Sequence, residues 1–143
     1  GPNDNYNLDT SHFFPALLSK IYYAKKNKLR EIVIWGNGKA KRELMYVDDL
    51  ADACEFFLKK KTRHNLINIG SGIENTITQY AQFIMKKIGI KLKIKYDLKK
   101  PSGTPRKLLD TNIAKTYGWK SKTNLEEGFN LTLKNFLTMK NKL

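Results

Sequence analysis

A single cysteine, Cys54, stands alone in 143 residues, so no internal disulfide can staple this chain. That usage fits a reducing cytosol. Long apolar runs are missing too. None approaches the ~20 residues that span a bilayer, and no charged-then-apolar leader opens the sequence. The chain therefore reads as soluble and cytoplasmic, with no membrane partner. There are only two histidines, His12 and His64, and no Cys/His zinc spacing, so no metal centre is expected. Acid is scarce: 13 Asp plus Glu face 27 Lys plus Arg, a net charge of +14. Such a balance invites nucleic acid as a partner. Arginine, however, is scarcer still, limited to Arg30, Arg42, Arg63 and Arg106. The remaining cations are lysines spread over every element, beside abundant asparagine, a pairing that an AT-rich coding sequence produces. Most of the charge reads as solvated surface. With no helix-turn-helix and no aromatic-basic strand motif, nucleic-acid binding is the runner-up class and nucleic acid is not the expected partner.

What is present is enough apolar residue, 41% by composition, for one domain with a core. Gly1 to Asp9 is a polar loop, and Thr10 or Ser11 is placed to cap a helix with Phe14, Leu17, Leu18, Ile21 and Ala24 on one side and Pro15 in its first turn. Ile32 to Trp35 reads as a buried strand and Leu44 to Val47 as a second, shorter one. Asp48 or Asp49 caps a helix with Leu50, Ala53, Cys54, Phe57 and Leu58 on its apolar face. Cys54 there reads as a small core residue. Leu66 to Ile69 is a short strand closed by Gly70-Ser71-Gly72. Thr76 caps a helix whose Ile77, Tyr80, Ala81, Ile84, Met85 and Ile88 share one side, with Gly89 as its stop. Lys91 to Asp97 alternates, turning Leu92, Ile94 and Tyr96 inward. Two prolines and a glycine make Lys99 to Asp110 a loop. A short helix from Asn112 stops at Gly118, and Thr123 with Glu126 forms a capping box for a last helix burying Leu125, Phe129, Leu133, Phe136 and Leu137. Helices alternating with short apolar strands predict an α/β class, and the absence of a linker predicts one unit over 1–143.

The stretch from Glu31 to Leu50 holds the candidate ligand chemistry. Trp35 closes its first strand, and the glycine-punctuated turn beyond carries Lys39, Lys41 and Arg42. An indole face beside a guanidinium and ammonium groups can hold a flat, anionic ligand. Local pattern alone favours a hairpin with a solvated basic tip.

Longer-range motifs point the other way. Trp35-Gly36-x-Gly38, Arg42-Glu43, Val47-Asp48-Asp49-Leu50-Ala51 and Asn68-Ile69-Gly70-Ser71-Gly72, in that order, resemble the C-terminal half of extended short-chain dehydrogenase/reductases that act on nucleotide sugars. The run from Lys100 to Asp110 (KPSGTPRKLLD) narrows the match. With Ser11-His12-x-x-Pro15-Ala16-Leu17 and Leu125-Glu126-Glu127-Gly128, it is similar to the GDP-L-fucose synthase family, the NADPH-dependent 3,5-epimerase/4-reductases of GDP-4-keto-6-deoxymannose. The resemblance implies that residues 1–143 are a substrate-binding, C-terminal portion, inactive by itself. Leu66 to Ile69 then belongs to a Rossmann sheet that is absent here together with its NADP-binding domain. The resemblance implies a GDP-sugar as substrate, NADPH as cofactor of the intact enzyme and a homodimer.

Roles carry over residue by residue. His12 matches an acid/base of the epimerisation that also lies near the nicotinamide. Lys20, Trp35, Arg42 and Lys93 match positions that hold the sugar nucleotide. Lys20 replaces the usual arginine, keeping charge without the bidentate fork. Ser102 replaces the usual aspartate of that loop, so it accepts a hydrogen bond only as a neutral group. The base or sugar preference is left open by that exchange, and another GDP-keto-sugar such as a deoxy-heptose is the alternative substrate.

Overall fold

The computed structural model describes residues 1–140 and contains two compact units interleaved along the chain. The first comprises Asp4–Arg42 and Asn75–Lys107; the second comprises Gly1–Asn3, Glu43–Glu74 and the described residues from Leu108 onward. The chain passes between them with no linker segment.

The first unit is built on two helices and a parallel strand pair. Helix α1 (Phe13–Lys26) buries Leu17, Leu18, Ile21 and Ala24, the spacing anticipated from its sequence. Its N-cap is His12, which makes no side-chain cap bond, rather than Thr10 or Ser11. The preceding loop explains the shift. Asn7 Oδ1 accepts from the amides of Asp9 and Thr10, and Asn7 O accepts from Ser11 N at 3.0 Å, so both candidate caps are held in the turn. Strand β1 (Glu31–Trp35) alternates in burial: Ile32 and Ile34 are buried, whereas Val33 and Trp35 are exposed. It is therefore a two-faced strand and not the fully buried one expected.

The second strand begins earlier than expected. β2 (Lys41–Glu43) replaces the anticipated Leu44–Val47 strand, because its ladder partners reach no further. β2 lies between β3 (Glu74–Thr76) and β5 (Arg106–Lys107), with Lys41 opposite Arg106 and Arg42 opposite Lys107. β1 pairs instead with β4 (Lys93–Asp97), in parallel, Trp35 opposite Asp97. The basic turn is thus no hairpin tip. Gly36 N donates to Asp97 O at 2.9 Å, which ties it to β4. In β4, Leu92 just before it is buried but Tyr96 is exposed, its hydroxyl 3.0 Å from Thr78 Oγ1. Helix α3 (Ile77–Ile88) follows its sequence closely. Thr76 Oγ1 accepts from Gln79 N, Gln79 Oε1 accepts from Thr76 N, and Gly89 ends the helix at φ 71°.

The second unit centres on Trp119, which is buried with Ala53 and Ala114 among Met45, Phe56, Phe57, Ile67 and Ile69. Helix α2 (Val47–Lys59) starts one residue ahead of Asp48, after Tyr46, and neither aspartate caps it. Asp49 is instead a buried staple, accepting from Ser121 Oγ, Lys122 N, Thr123 N and Thr123 Oγ1. These bonds take Thr123 away from the expected capping box. Asn124 Oδ1 accepts from Glu127 N at 2.9 Å in the first turn of α5 (Leu125–Lys140). α5 buries Phe129, Thr132 and Phe136. Helix α4 (Asn112–Thr116) ends just before Gly118, as read from sequence.

Two further expectations fail here. Cys54 is exposed, because Ala53 and not Cys54 takes the buried position on α2; Leu50 and Leu58 are likewise exposed. Leu66 to Ile69 joins no ladder among the described residues, and Ile67 and Ile69 pack on the Trp119 cluster. Among the described residues no helix is long and apolar enough to cross a membrane.

Candidate functional site

A cavity of about 270 Å³ opens in the first unit, and Lys20, Trp35, Arg42 and Ser102 all line it. Each arrives on a different segment, α1, β1, β2 and the loop before β5. Convergence of separate segments on one cleft distinguishes a built site from a run of surface charge.

Trp35 ends β1 on its exposed face, and Lys20 approaches its ring at 5.7 Å from the centroid. Lys20 Nζ also donates to Val33 O at 3.2 Å, which fixes the ammonium beside the indole. Partial burial makes that charge costlier, and desolvation lowers the Lys20 pKa from its ordinary value. Arg42 is held by its backbone and its side chain. Its carbonyl accepts from the hydroxyl of Tyr80, a core residue packed between Phe13 and Phe14. Its Nη1 donates to Lys41 O and Thr104 O, at 2.7 and 2.6 Å. The guanidinium is pre-positioned, and it keeps further N–H groups for a ligand.

Ser102 closes the far side. Asn37 N donates to its Oγ at 3.3 Å. Gly36, at φ 66°, permits this approach, since a Cβ there would lie 2.6 Å from Ser102 Cα. The Trp-Gly-x-Gly motif therefore shapes the cavity wall by letting two loops touch.

Two anticipated residues lie apart from this group. Lys93 opens β4 opposite Glu31, four residues, or about 13 Å, along the strand from the Trp35–Asp97 pair, and does not line the cavity. His12 is exposed at the start of α1, flanked by Ser11 and Phe13, which both line it. Sequence reasoning missed Lys100. Its ammonium lies 5.1 Å from the Trp35 centroid, so two lysines share one indole. The signal available was its place two residues before Ser102, in the matched loop.

The glycine turn Gly70-Ser71-Gly72 has a different task. Glu43 Oε1 accepts from Gly72 N at 2.6 Å and from Ser71 Oγ at 3.3 Å, while Oε2 accepts from Leu109 N at 2.9 Å. Those donors already satisfy a carboxylate, so the turn does not fit a dinucleotide pyrophosphate, which needs such amides free. Among the described residues no His, Cys, Asp and Glu group is arranged to hold a metal ion.

The sequence profile described as "NAD dependent epimerase/dehydratase family" matches residues 1–70. GDP-L-fucose synthase 1 of Arabidopsis thaliana is 43% identical over 132 residues, covering 92% of this chain and 41% of the relative. Over nearly all of its length the chain is similar to GDP-L-fucose synthases. It spans about two-fifths of the length of such relatives. Among solved structures, an NADP-bound GDP-L-fucose synthetase from Naegleria fowleri is similar, with a TM-score of 0.84 and 26% identity over 96% of this chain and 42% of that one. A GDP-6-OMe-4-keto-L-xylo-heptose reductase from C. jejuni superposes with a TM-score of 0.79 and 25% identity, over 97% of this chain and 51% of that one. The fold is that of a part of the extended short-chain dehydrogenase/reductases.

Proposed function

We propose that this chain supplies the GDP-sugar-binding side of an NADPH-dependent GDP-4-keto-6-deoxymannose 3,5-epimerase/4-reductase, a cytoplasmic enzyme. The observation that carries this reading is the meeting of Lys20, Trp35, Arg42 and Ser102 at one cavity within a single unit. A nucleoside diphosphate brings about two negative charges and a flat base. Lys20 and Arg42 offer cations to the first, and Trp35 offers a face to the second. The names borne by the relatives support the choice of a GDP-sugar.

His12 takes the proton-transfer role. Epimerising C3 and C5 removes a proton from a carbon beside the C4 ketone and returns one on the opposite face. An imidazole, with a reference pKa of about 6.5, can work in either direction. Its place between two cavity-lining residues supports this role, and its exposure leaves it accessible to a ligand. The reduction of the 4-keto group needs hydride from NADPH. With the Gly70–Gly72 turn committed to Glu43, the proposal gives that turn no part in holding the cofactor's pyrophosphate and keeps His12 beside the nicotinamide.

Titration calorimetry with GDP-mannose and UDP-glucose tests the reading. Heat with the GDP-sugar and at least tenfold weaker binding of the UDP-sugar is the expected outcome. Equal or absent heats for both would reject the substrate class. A second reading, another GDP-keto-sugar such as a deoxy-heptose, draws on Ser102. Its neutral hydroxyl already accepts from Asn37 N, and so places a weaker demand on the ligand than a carboxylate would.

A further inference from the structure

The cavity lining has two chemical characters. Lys20, Arg42 and the shared Trp35 indole suit an anion, whereas Leu8, Asp9, Ser11 and Phe13 bring no cation. Phe13 and Lys20 are seven residues apart on α1, about 10 Å along its axis, and Ser11 lies beyond Phe13. A ligand whose phosphates engage the cations therefore extends a different group toward Ser11.

Ser11 Oγ is buried and makes no hydrogen bond, alone in this respect among the described residues. A buried hydroxyl without a partner is costly, and native structures seldom keep one without a use. Helix capping gives the hydroxyl no use, because the N-cap position of α1 belongs to His12.

The surroundings indicate what Ser11 would meet. Asp9 repels an anion but accepts readily from hydroxyl groups. Phe13 brings an aromatic ring, itself fixed against Phe14 and Tyr80 at centroid distances of 6.2 and 5.6 Å. A hydroxyl, a carboxylate and an aromatic wall suit a neutral, polyhydroxylated ring. We infer that Ser11 is a specificity-determining residue, hydrogen-bonding an oxygen of the ligand's hexosyl ring and holding that ring beside His12. This rests on the GDP-sugar reading given above and adds the group that reads the sugar.

The test compares the wild-type chain with Ser11→Ala in three measurements: affinity for GDP-mannose, affinity for GDP, and thermal midpoint without ligand. Ser11→Ala should weaken GDP-mannose about 3- to 10-fold, the range of one neutral hydrogen bond, and leave GDP unchanged. Its midpoint should not fall, because the substitution removes an unpaired buried hydroxyl. Equal GDP-mannose affinity in the two proteins would overturn the inference. Equal losses for GDP and GDP-mannose, or a lowered midpoint, would overturn it too, by making Ser11 a structural residue. If the wild type binds GDP-mannose no tighter than GDP, no sugar-reading group exists and the inference fails alone. If the wild type binds neither, the GDP-sugar reading fails and takes this inference with it.

Discussion

The ammonium of Lys100 lies 5.1 Å from the centroid of the Trp35 ring, which Lys20 approaches at 5.7 Å. Two like charges on one indole repel each other, and an anion seated there relieves both. Lys100→Gln should weaken GDP binding about 3- to 10-fold, flatten its dependence on salt, and leave the thermal midpoint unchanged. Calorimetry at two ionic strengths checks this. Unchanged affinity and salt slope would return Lys100 to the solvated surface.

Asp49 should set the acid limit of the second unit. Hydrogen bonds from Ser121, Thr123 and Lys122 outweigh the desolvation that opposes them and hold its carboxyl below the ordinary carboxylate range. A folded pKa below the unfolded one means the contribution is complete above the unfolded value, near pH 4, and fades as pH falls through the lowered one. Asp49→Ala, which strands four donors, should cost about 3 kcal/mol at pH 7. Urea unfolding of both proteins from pH 7 to pH 2.5 should show that difference shrink below pH 4. A pH-independent difference would contradict the sign.

Glu43 constrains Gly70. A Cβ on Gly70 would meet the Glu43 carboxylate, with Cδ at 3.0 Å, and the carboxylate is held in place by Gly72 N and Leu109 N. Gly70→Ala should therefore destabilise by about 1–3 kcal/mol. In a Glu43→Ala background the same change should cost clearly less. A double-mutant cycle by chemical denaturation measures the coupling, and strict additivity would refute the proposed contact.

The parts legible in the sequence were those fixed by local chemistry. α3 carried its cap, its capping-box glutamine, its apolar stripe and its glycine stop in consecutive residues, and the structure has each one. The buried positions of α1 followed from spacing alone. What could not be read depended on distant partners. Asp49 looks like an N-cap by position, yet residues 121–123 claim its side chain from more than 70 positions away. Ile32 to Trp35 looked like one arm of a hairpin, because nothing local shows that its partner is β4. The site divided in the same way. Trp35 and Arg42 stood in a motif and line the cavity. Lys93 matched by motif and sits elsewhere along its strand, while Lys100 stood in the matched loop and its place beside Trp35 emerged only from the fold.

The central claim is that Lys20, Trp35 and Arg42 grip a GDP-sugar. Tryptophan emission is its most direct readout, because Trp35 is 48% exposed at the cavity and Trp119 only 3% exposed in the other unit. GDP-mannose should quench emission saturably in the wild type, with the Kd found by calorimetry. Trp35→Phe should abolish the quench, and Arg42→Gln should raise the Kd at least tenfold, as for loss of a charged hydrogen bond of about 1.5–3 kcal/mol. Emission that stays constant, or a quench that survives Trp35→Phe, would contradict the assignment of this cavity.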